Sequence, residues 1–233
     1  MKKVFLSLIY LLALGAMTSC DVDNYDGPDG TLTGSVIDAI TGQPIQTEQP
    51  NGYRIKYKEI SWSENATDQF LWGKPDGSFN HTKLFAGTYE MTAVEGAFVD
   101  SETEVVEIKS NKTTKLEFTV MPYISFKNVS IEKVSASEVM VRFTLSKNIA
   151  EATVQDYRIF ASSKTQYIGI NPGGSESDIS QSETAITEDD LDKPIEVKLG
   201  NYEAGKTYYI RVGARCRNSS NRYNMTEVFE IKM

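Results

Sequence analysis

The chain has 233 residues, of which 40% are hydrophobic, and its formal net charge at pH 7 is −8. This length is enough for two ordinary domains, each with its own core. The acidic balance excludes nucleic acid as an expected partner, because a phosphate backbone is bound by clustered lysine and arginine.

The N-terminal segment has the pattern of a secretory signal. Two lysines precede an apolar run, Val4–Ala16, which is too short to span a bilayer as a helix. The run ends in small residues before Cys20, and this ending resembles the bacterial lipobox, where cleavage leaves an N-terminal cysteine that carries acyl chains such as palmitate. We therefore predict a signal peptide over residues 1–19, a lipid on Cys20 and a tether over residues 20–30. The alternative is a cleaved signal peptide without lipid.

The acidic stretch after the predicted lipidation site raises the possibility of a calcium loop. An EF-hand loop that begins at Asp21 needs an oxygen ligand at its fifth position and a glutamate at its twelfth. Those positions hold Tyr25 and Leu32, so this register fails and only a non-standard calcium site stays open. The acids also resemble the surface-export signal of Bacteroidota lipoproteins, which implies exposure on the cell surface, although Val22 interrupts them.

Apolar and polar residues alternate with period two through most of the chain, and no long stretch has helical periodicity. The predicted fold class is therefore all-β, with two tandem β-sandwich domains. One clear example places Tyr53, Ile55 and Tyr57 on the same face of a strand, which should be core. The strands predicted in the first half are 31–36, 53–58, 69–73, 78–82, 88–94, 104–108 and 115–120.

Four motifs in the first half carry a family resemblance. They are GSVID from Gly34, TGQPI from Thr41, DGSF from Asp76 and LFAGTY from Leu84. Glycine suits turns that need positive φ, because a β-carbon is penalised there. The series is similar to the carboxypeptidase regulatory, transthyretin-like β-sandwich, and the resemblance implies one such domain over residues 31–120.

An insertion relative to that pattern, residues 61–74, holds the residues that we predict to bind a ligand. Flat aromatic rings beside hydrogen-bonding side chains suit a sugar, whose apolar face can stack while its hydroxyls are bonded at the edges. The alternative is that the same aromatics close the end of the sandwich as core, since large aromatics are usually buried. The predicted ligand-binding residues are Trp62, Trp72, Phe70, Asn65, Asp68 and Gln69.

The second half begins at a predicted boundary, Met121–Tyr123, because proline removes a ladder donor between two strand patterns. The spacing around Tyr208 resembles the fibronectin type III segment that carries the tyrosine corner, in which a tyrosine hydroxyl bonds to nearby backbone. This resemblance implies a fibronectin type III-like, immunoglobulin-like β-sandwich over residues 121–233. Phe143 would stand where that fold often has tryptophan.

Two polar features of the second half are predicted to be surface. Residues 162–194 are rich in serine, glycine and acids, a composition that predicts long surface loops. Within them Glu188, Asp189, Asp190 and Asp192 form an acidic cluster. We interpret it as a solvated loop, with a cation site as the alternative.

No catalytic residue, metal site or cofactor is predicted. The single histidine, His81, lies in a predicted strand, and the chain has no serine-hydrolase, zinc-protease or phosphate-loop motif. A pair of catalytic carboxylates, as in glycosidases, is left open as an alternative, because the two residues can be far apart in sequence. Cys216 alternates with apolar residues and is predicted to be a core residue, not a reactive thiol. With Cys20 carrying lipid, no intrachain disulfide is predicted.

With its insertion and its acidic entry from Asp23, the first half closely resembles a lipoprotein family of Bacteroidota, domain of unknown function 3823, found beside SusC/SusD-type glycan-uptake proteins. The resemblance implies an outer-membrane lipoprotein, anchored through Cys20, that is a non-catalytic accessory of a glycan-uptake system and binds or presents carbohydrate. Its expected partners are the membrane, a glycan and SusC/SusD-like transporter proteins. The alternative is a structural subunit that docks onto such a transporter and has no glycan site.

Overall fold

A computed structural model describes residues 27–63, 65–170, 181–217 and 220–233. These residues form sixteen β-strands and one 3₁₀ turn, arranged as two sandwiches, so the predicted all-β class is confirmed. Within these ranges no helix is long and apolar enough to cross a membrane. The predicted signal peptide and Cys20 lie outside the described residues.

The first sandwich contains eight strands in two four-stranded sheets, of order β4-β1-β8-β6 and β3-β2-β5-β7. β1 pairs in parallel with β8, whereas the other pairs are antiparallel. In chain order the strands are β1 (Gly30–Asp38), β2 (Arg54–Glu59), β3 (Gln69–Trp72), β4 (Ser78–Leu84), β5 (Gly87–Val94), β6 (Phe98–Val99), β7 (Glu104–Ile108) and β8 (Thr113–Pro122).

Alternating apolar residues of these two sheets form the first core. The predicted face of β2 is buried: Ile55 and Tyr57 belong to this cluster, and so does Tyr53, the residue before the strand. The DGSF motif makes the turn into β4, where Gly77 has φ +77° and a β-carbon would lie 2.6 Å from the carbonyl oxygen of Ile45. The Tyr53 hydroxyl donates to the Gly77 carbonyl at 2.7 Å and fixes this turn to the core.

The second sandwich pairs a three-stranded sheet of order β13-β10-β9 with a sheet of order β12-β11-β14-β15, in which β16 also pairs with β14. The strands, with a 3₁₀ turn at Glu188–Asp190, are β9 (Ile124–Lys133), β10 (Val139–Lys147), β11 (Thr153–Ser162), β12 (Thr184–Ala185), β13 (Pro194–Leu199), β14 (Thr207–Arg217), β15 (Tyr223–Met225) and β16 (Phe229–Lys232). Two antiparallel sheets packed face to face are the architecture that fibronectin type III domains share with immunoglobulin domains.

The predicted tyrosine corner is present, and Phe143 is a core residue. The backbone N–H of Glu203 donates to the Tyr208 hydroxyl at 2.9 Å, which is the predicted tyrosine corner. Phe143 occupies the centre of the core, with its ring centroid 5.2 Å from that of Tyr157. Cys216 is a buried core residue as predicted, and burial raises the pKa of its thiol to about 11.

The prediction of surface loops over residues 162–194 is wrong in part. Ile168 and Ile186 are buried, and a two-residue strand and the 3₁₀ turn lie between Gln181 and Pro194. Isolated apolar residues in a polar stretch give no periodic signal, so their burial depends on tertiary contacts. Residues 171–180 lie outside the described residues.

The two sandwiches meet where the segment after β1 contacts β15. Thr47 forms an isolated bridge with Asn224, and the Met225 N–H donates to the Gln46 carbonyl at 3.3 Å. Glu48 is 4% exposed and accepts from Arg222 Nη1 at 2.7 Å and from the Tyr223 N–H at 2.9 Å. An ion pair with a buried carboxylate and a partly buried guanidinium therefore crosses the junction between the two halves.

Candidate functional site

Strand β3 separates the residues that the sequence predicts as one binding group. Successive side chains of a strand point to opposite faces, so Gln69 lies on the face of Leu71, which packs against the core. Phe70 and Trp72 point to the outer face of the sheet. Trp62 comes from the loop between β2 and β3 and joins Gln69 in a cleft.

The cleft lies at one end of the first sandwich and has a volume of about 610 Å³. We call it the aromatic cleft. It is assembled from five separate parts of the chain, and its lining residues are Gly27, Asp29, Glu59, Trp62, Gln69, Phe85, Ala86, Tyr89 and Ser110.

Two aromatic rings of the cleft face solvent. Trp62 is 75% exposed and Phe85 is 55% exposed, although aromatic side chains of this size are normally mostly buried. Tyr89 lies beneath them, buried, and its hydroxyl donates to the Phe85 carbonyl at 3.0 Å. The alternative in which Trp62 forms part of the core is wrong.

The polar side chains of the cleft carry two carboxylates, one amide and two hydroxyls. Glu59 Oε1 accepts from the Ser61 N–H at 2.7 Å, and Asp29 Oδ2 accepts from the Ser110 hydroxyl at 2.7 Å. Burial, Glu59 and Tyr57 together raise the pKa of Tyr89 to about 12, so its hydroxyl stays protonated at neutral pH. None of the described lining residues is lysine or arginine.

The outer face of β3 has different chemistry. The Arg54 guanidinium carbon lies 3.8 Å from the ring centroid of Phe70 and 5.4 Å from that of Trp72. Arg222 of the second sandwich lies 5.9 Å from the same Trp72 ring. Phe70 and Trp72, at 43% and 44% exposure, are therefore partly covered by arginines and do not line the aromatic cleft.

The remaining predicted residues, Asn65 and Asp68, are exposed and lie outside the cleft lining. The Asn65 N–H donates to the Ser63 hydroxyl at 3.2 Å within the loop itself. The structure thus brings Trp62 and Gln69 together and leaves the other four predicted residues elsewhere.

Sequence reasoning missed Asp29, Glu59, Phe85, Tyr89 and Ser110. Phe85 and Tyr89 belong to the LFAGTY motif, which indicates a fold resemblance and has no pattern typical of a binding site. A phenylalanine inside a turn motif is a signal in the sequence for Phe85, because turns lie at the surface; the other residues have no such signal.

His81 and the acidic cluster, the other groups that could carry chemistry, make contacts within the chain. His81 lies 3.4 Å from the Tyr57 hydroxyl through Nε2, and burial lowers its pKa. In the acidic cluster, Glu188 pairs with Lys147 and Asp192 pairs with Lys127. No group of three or more acidic, histidine or cysteine side chains that could hold a metal occurs within the described ranges.

Comparison with protein families gives two matches that together span most of the chain. The family described as protein of unknown function (DUF3823), N-terminal domain, matches residues 30–121. The domain of unknown function DUF3823_C matches residues 124–230. A search of curated proteins gave no match.

Several solved structures share the fold over nearly the whole chain. A protein from Bacteroides uniformis ATCC 8492, described as a proposed carbohydrate-binding protein, is 26% identical, with a TM-score of 0.71, covering 89% of this chain and 100% of that one. A DUF3823 family protein from the same organism is 22% identical, with a TM-score of 0.71, covering 88% and 100%. One from Parabacteroides merdae ATCC 43184 is 19% identical, with a TM-score of 0.70, covering 89% and 100%.

Proposed function

Since this chain belongs to the DUF3823 family, we propose that it is a non-catalytic, lipid-anchored protein of the outer membrane that binds carbohydrate in the aromatic cleft. The cleft would capture or present a glycan for uptake by SusC/SusD-like transporter proteins. The whole protein would be held at the cell surface by the lipid on Cys20.

The observation that carries this proposal is the pairing of exposed rings with hydrogen-bond acceptors in one cleft. Trp62 and Phe85 offer flat apolar surfaces, while Glu59, Asp29 and Gln69 offer oxygen atoms beside them. A pyranose presents an apolar face and a ring of hydroxyl donors, so it can satisfy both kinds of group at once. The carbohydrate-binding description of the 26% identical protein from Bacteroides uniformis supports the same ligand class.

The proposal of a non-catalytic role is supported by the groups that the cleft lacks. Among its described lining residues there is no histidine, lysine, arginine or cysteine. The two carboxylates that the cleft does hold, Glu59 and Asp29, each accept a hydrogen bond from a serine, and a glycosidase that uses such a pair is the class of enzyme that a turnover screen tests. A screen of glycans and peptides that found turnover by the chain would overturn this part of the proposal.

Glycan binding by the unaltered cleft is tested first. A glycan array is probed with the chain from residue 20, which carries Cys20→Ser so that no lipid is attached. We expect retention of one class of neutral glycan, with an affinity that calorimetry then measures. If the array shows no ligand and the full lipoprotein co-purifies from detergent extracts with SusC/SusD-like partners, the docking-subunit alternative is correct instead.

The anchor is tested in the cell by Cys20→Ala. Because one residue carries all of the acyl chains, the change is expected to move the protein from the membrane fraction to the soluble fraction. Immunoblotting of the two fractions measures this shift, and intact mass shows whether the wild-type cysteine is modified. Unchanged membrane retention of the Cys20→Ala protein would contradict the lipid anchor.

The charge of the cleft predicts which sugars it accepts. Glu59 and Asp29 repel a uronate or sulfate, so a polymer of uronic acids is expected to be excluded. Glu59→Gln should weaken binding of a neutral glycan several-fold, since a charge-assisted hydrogen bond becomes a neutral one, and should increase retention of a uronate polymer.

Affinity electrophoresis in gels that contain either polymer measures both effects. The matched control is Glu107→Gln, which makes the same charge change at an exposed strand residue outside the cleft. If Glu59→Gln and Glu107→Gln behave alike in both gels, Glu59 does not face the ligand.

A further inference from the structure

Strand β3 is an edge strand that lacks the usual protection against pairing. In the described structure its only strand neighbour is β2, and all four of its residues, Gln69–Trp72, are uncharged and none is proline. Edge strands in soluble proteins are normally guarded by charge, proline or a covering element, because their free N–H and C=O groups template another strand. The opposite edge of the same sheet, β7, carries two glutamates within its five residues.

The polar groups of this edge can be assigned from the register. The Gly73 N–H donates to the Tyr53 carbonyl at 3.0 Å, and Leu71 lies opposite Ile55. In an antiparallel ladder, hydrogen-bonded pairs of residues alternate with pairs that are not hydrogen-bonded. Since Gly73 is in a hydrogen-bonded pair, Gln69, Leu71 and Gly73 direct their backbone N–H and C=O groups toward β2. The N–H and C=O groups of Phe70 and Trp72 therefore point to the free edge.

We infer that this edge pairs with β3 of a second copy of the chain, antiparallel about a two-fold axis at Leu71. In that register Phe70 lies opposite Trp72 of the other copy, and each such pair exchanges two backbone hydrogen bonds. This pairing is consistent with the pleat of the two strands, since the side chains of both residues lie on the outer face of both sheets. The two four-stranded sheets become one continuous eight-stranded sheet.

Charge complementarity selects this register over its neighbours. Asp68 lies one residue before β3 and Lys74 two residues after it, and the two-fold axis at Leu71 brings each close to the opposite charge of the other copy, so two ion pairs flank the paired strands. Both side chains are exposed; within its own chain Lys74 is attracted to Asp76 in the turn before β4. A shift of the axis by one residue to Phe70 moves Asp68 opposite Trp72 and removes both pairs.

The aromatic cross-strand pairs add to this attraction. Phe70 and Trp72 are each more than 40% exposed in the single chain, and an aromatic pair in directly opposed positions stabilises a sheet. A four-residue strand buries little area, so the dimer is expected to be weak in solution.

Charge reversal tests the register. Sedimentation of the chain from residue 20 with Cys20→Ser, from low micromolar to submillimolar concentration, is expected to show a monomer–dimer equilibrium. Asp68→Lys places lysine opposite lysine twice and should weaken the dimer about tenfold, while Asp68→Lys with Lys74→Asp should restore it. A monomer at all concentrations, or a dimer that Asp68→Lys leaves unchanged, would overturn the inference.

A cross-link tests the axis independently of charge. In a non-bonded antiparallel pair the α-carbons are roughly 4.5 Å apart, within the range of roughly 4.4–6.8 Å that a disulfide spans. Leu71→Cys should therefore form a covalent dimer on mild oxidation, whereas Val105→Cys, on the guarded β7 edge, should not. Thermal unfolding of each variant confirms that it is folded, and equal cross-linking of the two cysteines would count against the axis.

Discussion

Trp62→Ala is expected to abolish retention of the chain by its polysaccharide while the fold stays intact. The ring is 75% exposed, so its removal leaves no cavity in a core. A tryptophan at the centre of a binding site typically contributes about 2 kcal/mol or more when truncated, which is a loss of at least about thirtyfold in affinity. Affinity electrophoresis and calorimetry with the glycan identified on the array measure this loss.

Trp72→Ala is the matched control, because it removes the same side chain from the outer face of β3. It should keep glycan retention, since Trp72 stacks with Arg54 and Arg222 and does not line the aromatic cleft. Loss of retention in Trp72→Ala together with normal retention in Trp62→Ala would move the site to the outer face. Circular dichroism of both variants verifies that a loss of binding is not a loss of structure.

Arg222→Met is expected to give a large loss of stability at the domain junction. It leaves the carboxylate of Glu48 buried without its guanidinium partner, and breaking a buried pair costs about 3 kcal/mol at the lower end of the usual range. The lower end applies because the Arg222 side chain is 26% exposed. Urea unfolding followed by fluorescence measures the change in the free energy of unfolding.

The control is Arg142→Met, which breaks an ion-pair network on the surface of the second sandwich. Its side chain is 38% exposed, so the change should cost less than about 1 kcal/mol. Adding Glu48→Gln to Arg222→Met removes the buried charge and should recover part of the stability. If Arg222→Met is no more harmful than Arg142→Met, the junction does not depend on this pair.

Arg222→Met should also change how the free energy of unfolding depends on pH. Burial already raises the pKa of Glu48 above its ordinary value of 4.5, and Arg222 is among the groups that oppose this shift. Without Arg222 the folded-state pKa rises further, so the folded chain binds the proton more tightly than the unfolded chain. The free energy of unfolding of Arg222→Met should then fall as pH rises above 4.5, and the defect should be larger at neutral pH.

The sequence by itself determined the fold class, most of the strands and several of their buried faces. Alternation of period two survives in any context where one face of a strand is buried, so Tyr53, Ile55 and Tyr57 could be assigned to a core directly. The turn motif around Gly77 and the corner at Tyr208 were equally readable, because each depends on contacts within a short stretch of chain or on a conformation that few residues adopt.

Only the tertiary structure decided which residues share the cleft. Trp62, Phe70 and Trp72 lie close together in sequence, but the pleat of β3 and the loop before it send them to different surfaces. The cleft draws its other members from segments up to about eighty residues apart, such as Asp29 and Ser110, which meet through a side-chain hydrogen bond. Such contacts form when distant strands pair. A local sequence pattern cannot predict them, because the nearest neighbours of a side chain in a sheet belong to other parts of the chain.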